Sequence, residues 1–156
     1  MGLHENMLKE PVSRLNLREP VLAGPDDRVR DAVRRMRERQ MGCVYVVDER
    51  GKALGMFTES MLNRLLVTNS RALDDSLRRH MADYWCCVKM TDPIVKVLTA
   101  MQSRNVRFVC VLNDDGAVVA LTGQKGLMEY VAEHFPGQVM VQRIGCAPYV
   151  QHREGA

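Results

Sequence analysis

Few of the residues able to do covalent or metal chemistry stand at spacings that would let them act together. The five cysteines, Cys43, Cys86, Cys87, Cys110 and Cys146, include no C-x-x-C pair, and Cys43 and Cys110 fall inside apolar, strand-like runs. They read as buried thiols behaving as small hydrophobes, not as disulfide partners or metal ligands. The histidines His4, His80, His134 and His152 are dispersed and form no H-E-x-x-H. Gly116, Gly123 and Gly126 lack the spacing and the Lys-Ser/Thr ending of a phosphate loop. No nucleophile–base–orienter set is readable, so the expectation is a protein that is not an enzyme, with no metal and no cofactor. What remains is non-covalent chemistry: a hydroxyl at a predicted helix start (Thr58), cations at Arg107 and Lys125, and the sole tryptophan, Trp85. A hydroxyl beside a helix start can meet phosphate.

The elements that must position these groups repeat. A shift of 65 residues, without a gap, lays Asp27 on Asp92, Val29 on Ile94, Val33 on Leu98 and Met36 on Met101. The same shift lays Val44 on Val109, Val46 on Val111, Gly51 on Gly116 and Leu62 on Leu127. One constant offset over about 40 positions marks a tandem duplication.

Within the first copy, Val21-Leu22-Ala23 reads as a short strand, and Gly24-Pro25-Asp26-Asp27 as a turn whose aspartate caps the next helix. That helix carries Val29, Ala32, Val33 and Met36, the i, i+3, i+4, i+7 stripe of one buried face. Cys43 to Val47 is a continuous apolar run, as in a strand covered on both faces. Asp48 to Gly51 is turn chemistry, and Ala53 to Phe57 returns antiparallel before a helix starting near Thr58.

The second copy gives strands at Tyr84–Val88, Phe108–Leu112 and 117–121, with helices opened by Asp92-Pro93 and by Gly126. The organisation expected is an N-terminal tail (1–10), unit one (11–69), unit two (70–137) and a C-terminal tail (138–156).

A net charge of +3 is too small to imply nucleic acid. Six arginines between Arg28 and Arg39 are interleaved with Asp26, Asp27, Asp31 and Glu38, the pattern of a solvated, ion-paired helix face. No apolar run approaches the roughly 20 residues that span a bilayer, and the start lacks signal-peptide order. Neither nucleic acid nor membrane is expected as a partner, and the cytoplasm is the expected location.

The duplicated order strand–helix–strand–strand–helix resembles the CBS domain pair, or Bateman module. The resemblance is carried by Asp26-Asp27-x-Val29-x-x-Ala32-Val33-x-x-Met36 and Val46-Val47-Asp48-x-x-Gly51-x-x-Leu54-Gly55-Met56-Phe57-Thr58. The second copy contributes Ile94-x-x-Val97-Leu98-x-x-Met101 and Val111-Leu112-Asn113-Asp114-Asp115-Gly116. It implies an α/β fold of two β-α-β-β-α units packed about a pseudo-twofold axis, with two clefts between them. It also implies an adenine-containing regulatory ligand (AMP, ADP, ATP or S-adenosylmethionine) and dimerisation through helices.

The family's ligand pattern is G-h-x-T-x-x-D. The first unit keeps Gly55 and Thr58 but has Met61 at the acidic position, while the second has Ala120, Gly123 and Gly126. By this resemblance Thr58, Arg107 and Lys125 are the phosphate-directed candidates. Val21, Val44, Met61 and Trp85 are the candidates for enclosing a base. A ligand could use Thr58 from one unit and Arg107 from the other. The plainer alternative makes Lys125 solvated and Thr58 a helix cap.

The expected function is a stand-alone regulatory module sensing an adenine-containing ligand and acting on an effector protein. The alternative is a ligand-free interaction and dimerisation module with degenerate clefts. Met61, Leu62, Leu65 and Leu66 on one helix, and Leu127, Tyr130, Val131 and Phe135 on the other, offer the apolar faces for a homodimer.

Overall fold

The computed structural model describes residues 2–136; the expected tail over 138–156, with Cys146 and His152, lies outside them. In chain order the elements are α1 (Leu3–Lys9), β1 (Leu22–Ala23), α2 (Val29–Glu38), β2 (Cys43–Val47), β3 (Ala53–Thr58) and α3 (Glu59–Thr68). They continue with β4 (Cys87–Lys89), α4 (Val95–Arg104), β5 (Phe108–Leu112), β6 (Val118–Gly123) and α5 (Gln124–His134). Short 3-10 turns cover Val12–Arg14, Ser70–Asp74 and Leu77–Arg79. The α/β fold expected from the sequence is the observed one.

Each unit has a three-stranded sheet, ordered β1-β2-β3 and β4-β5-β6, with one parallel and one antiparallel pairing. The duplication holds residue by residue. Leu22 pairs with Tyr45 as Cys87 pairs with Cys110, and bulges fall at Val46/Val47 and Val111/Leu112. The hairpin turns place Gly51 and Gly116 at φ of 78° and 81°, a left-handed backbone that glycine adopts without steric cost. The side chains of Asp48 and Asn113 accept the backbone N–H groups that close these turns. After α2 and α4 the chain turns through Gln40 and Asn105, at φ of 51° and 50°. Asparagine suits that conformation, and Asn105 caps α4 there.

The stripe on α2 buries Val29, Ala32 and Met36, as the spacing predicts. No aspartate caps this helix: its N-cap is Arg28. The Asp27 carboxylate is engaged one residue too early, accepting from the Gly24 N–H at 3.0 Å and from Arg35 at 2.8 Å.

The units are joined in two ways. First, Lys52 bridges Ala117, the same position in each copy, so the pseudo-twofold axis passes there. The Val118 N–H donates to the Gly51 carbonyl beside it, at 2.9 Å. Second, the units exchange their leading segments. Val12 and Leu15 belong to the core of the second unit, with Ile94, Val97 and Val109, whereas Leu77 belongs to the first, with Tyr45 and Phe57.

Several expectations are corrected. Residues 1–10 hold a helix, α1, whose Met7 is buried against the second unit, because an apolar side chain among polar ones finds a core to dock on. The strand expected over Tyr84–Val88 is confined to Cys87–Lys89, and Trp85 precedes it. The last helix starts at Gln124, where Gly123 ends β6, not at Gly126. Cys43, Cys86 and Cys110 are buried thiols, but Cys87 is exposed because its side chain lies at the sheet's outer margin. Among the described residues no helix is long and apolar enough to cross a membrane.

Candidate ligand cleft

Strand β3 ends at Thr58, and this residue caps α3: its Oγ1 accepts the Met61 backbone N–H at 3.3 Å. The Glu59 N–H donates to the Gly42 carbonyl at 3.0 Å, tying the start of α3 to the residue before β2. Facing this corner is the turn from α4 into β5, where Asn105 reverses the chain between Arg104 and Arg107. Between them lies a cleft of about 520 Å³, within the range of small-molecule sites. Thr58, Met61 and Arg107 all line it, so the two units do contribute to one opening.

The cleft is cationic. Arg64, Arg104 and Arg107 line it, and none forms an ion pair with a carboxylate among the described residues. Glu59 is its one acidic lining residue. Three guanidinium groups around one concavity suit an anionic ligand, since charge-assisted and bidentate bonds are the strong ones. Thr58 adds a hydroxyl at the N-terminus of a ten-residue helix, whose dipole favours negative charge. Cys43 is no nucleophile here: burial, reinforced by the Glu59 charge, pushes its thiol up to about 12. Among the described residues no group of His, Cys, Asp and Glu is placed to hold a metal.

The pseudo-symmetric position is closed. Lys125 lines only a depression of about 60 Å³, together with Gly123, Gly126 and the far side of Arg107. A Cβ on Gly123 would stand 2.0 Å from the Arg107 carbonyl oxygen, and one on Gly126 would stand 2.7 Å from Thr122 Oγ1. The two glycines therefore let α5 settle onto β5 and β6, leaving no gap comparable to that beside Thr58. Glu129 of α5 accepts from Asn16 at 3.2 Å and pairs with Arg18 at 3.5 Å, fastening the chain across this side.

Val21 and Val44 are 5% and 0% exposed in the core of the first unit and line none of these depressions. Continuous burial of β2 on both faces, which its sequence predicts, leaves Val44 no surface to offer. Trp85 lines an adjoining depression of about 190 Å³ with Asp83, Tyr84, Cys86 and Arg104. Sequence reasoning missed Arg64, Arg104, Glu59 and Tyr84. Arg64 had a signal, because it stands three residues after Met61 and so on the same helix face. Arg104 had none, since its place on the cleft depends on the left-handed turn at Asn105.

Two α/β repeats joined at a pseudo-twofold axis, with a cationic cleft between them, define a paired α/β module by architecture. Residues 12–68 match the family model of the CBS domain. No curated protein matches the sequence. The fold is similar to that of the CBS domain pair of protein MJ0100 in complex with 5′-methylthioadenosine and S-adenosyl-L-methionine. That match has 18% identity over 80% of this chain and 97% of that one, with a TM-score of 0.71. A CBS domain protein from Pyrobaculum aerophilum complexed with AMP matches at 20% identity, covering 73% of this chain and 87% of that one, TM-score 0.66. Staphylococcus aureus OpuCA matches at 25% identity, covering 75% of this chain and 96% of that one, TM-score 0.60. The chain has the fold of a tandem CBS pair, a Bateman module, and its first unit matches the CBS domain family.

Proposed function

We propose that this module is regulatory and that its open cleft takes a phosphate-bearing, adenine-containing ligand. The observation that carries the reading is the meeting of Thr58 with Arg107, flanked by Arg64 and Arg104, around one cleft of about 520 Å³. Similarity of fold to structures holding AMP or S-adenosyl-L-methionine supports the choice of adenine. A cationic lining favours AMP, ADP and ATP over the positively charged sulfonium of S-adenosylmethionine. Ligand binding acts on an effector protein by favouring one arrangement of the module over another.

Calorimetric titration with ATP, ADP, AMP and S-adenosylmethionine tests this. One of the three phosphates is expected to bind, and Arg107→Ala to weaken it about tenfold or more, the loss typical of a hydrogen bond to a charged group. Absence of binding across the panel would sink the reading.

A second reading, an interaction module working through a homodimer, is favoured by α3, which buries none of its residues and leaves Leu66 and Val67 41% and 88% exposed. A second copy of the chain would cover them. Light scattering separates the cases: a dimer converted to monomer by Val67→Glu supports it, and a monomeric wild type ends it.

A further inference from the structure

The cleft does not stop at its own rim. Tyr84 and Arg104 line both the large cleft and the depression of about 190 Å³ beside it, so the two adjoin across these side chains and a long ligand can reach from one to the other as along a groove. The smaller part has a lining unlike the larger. Tyr84 is 61% exposed, an aromatic ring with no core to justify it. Next to it Trp85 is half-buried against the first unit's core and so held in place. The neighbouring Asp83 carboxylate makes no hydrogen bond or ion pair among the described residues. An aromatic surface with a free carboxylate suits a nucleoside: the rings stack on a flat base, and the carboxylate accepts both protons of a ribose diol. In the large cleft the one carboxylate, Glu59, stands at the start of α3 among the arginines, Val21 and Val44 are in the core, and Met61 carries no acceptor for a sugar.

We infer that the groove binds a purine nucleoside polyphosphate lengthwise, with its base against Tyr84 and Trp85, its ribose on Asp83, and its phosphates running past Arg104 to Arg107 and Arg64. This rests on the reading of the cleft as a ligand site given above and adds where each part of the ligand lies. Arg104 is the hinge of the arrangement, since it alone among the cations lines both parts. The missing acidic side chain at position 61 is thereby replaced from a different strand lead-in, in the other unit.

Trp85 is the only tryptophan in the chain, so its emission reports on this subsite alone. The experiment titrates the full chain with ATP and with inorganic tripolyphosphate, following heat and Trp85 emission together, in wild type and Asp83→Asn. ATP is expected to bind and quench Trp85, while tripolyphosphate competes with ATP and leaves the emission unchanged. Asp83→Asn is expected to weaken ATP about tenfold or more without affecting tripolyphosphate. 2′-Deoxy-ATP is expected to bind wild type as weakly as ATP binds the variant, with no further loss in the variant. ATP binding with unchanged emission and an indifferent Asp83→Asn would overturn this inference and leave the cleft reading standing. No binding of either ATP or tripolyphosphate would overturn both.

Discussion

Val12 and Leu77 occupy the same place in opposite units, and each is bonded into the unit it does not lead. The Val12 N–H donates to the Asp92 carbonyl at 2.7 Å, and the Leu77 N–H donates to the Asp27 carbonyl at 2.8 Å. The return bonds match, Ile94 to Glu10 and Val29 to Asp75, both at 2.9 Å. Val12 and Leu77 are each 0% exposed, so the exchange is anchored by apolar burial as well as by backbone bonds.

This reciprocity predicts one unfolding unit. Leu77→Ala removes a fully buried side chain and is expected to cost about 2–5 kcal/mol. Because Leu77 links the chain leading into unit two with the core of unit one, the whole module should melt earlier. Urea unfolding followed by Trp85 emission and by far-ultraviolet circular dichroism should give coincident transitions. Separated transitions would mean the two units unfold independently.

Restoring the second cleft by sequence alone should fail. In Gly123→Thr the new Cβ would meet the Arg107 carbonyl oxygen at 2.0 Å, and backbone cannot yield as a side-chain tip can. The expected result is a destabilisation above about 2 kcal/mol with no gain in ligand stoichiometry. A stable variant that binds a second ligand would contradict the packing account of the closed side.

Asp92 gives the fold a predictable acid response. Its carboxylate accepts the Lys89 backbone N–H at 2.8 Å and pairs with Lys96 at 2.7 Å, and these, the backbone bond foremost, hold its pKa below the usual carboxylate value. A depressed folded pKa stabilises above the unfolded value, near 3.9, and that contribution is lost as pH falls through the folded one. Wild type should therefore exceed Asp92→Asn in stability at pH 7, and the gap should narrow below about pH 4. A gap independent of pH would assign the effect to packing.

The thiols should separate cleanly in reactivity. In a Cys146→Ser background at pH 8, a disulfide reagent is expected to label exposed Cys87 promptly. Cys43, held up to about 12, and Cys110, raised further by burial, should react only when the chain is unfolded. Prompt labelling of either would show local opening of β2 or β5.

The fold is legible because the duplication writes each element twice. Gly51 with Gly116, and the β2 run with the β5 run, check one another within the chain itself. The exchange of leading segments is not legible, since Val12 and Leu77 are apolar residues in short turns and nothing in their sequence names the unit they enter. For the site, the pairing of Thr58 with Arg107 is read from the resemblance to a CBS pair, since the repeat alone sets Gly123 opposite Thr58 and Gly42 opposite Arg107. The burial of Val44 is also readable, from its place in an uninterrupted apolar strand. Tyr84 and Asp83 are hidden because the strand expected over 84–88 draws attention to a sheet that begins only at Cys87.

The disparity between the clefts, about 520 against about 60 Å³, sets the arithmetic of any signal the module sends. Two equal sites on one chain could reinforce each other and sharpen a response; a single opening counts its ligand once. A lone chain would then report concentration as a hyperbola, rising over roughly two decades, a dial and not a trigger. Steepness, where a cell needs it, has to be supplied by coupling between separate chains.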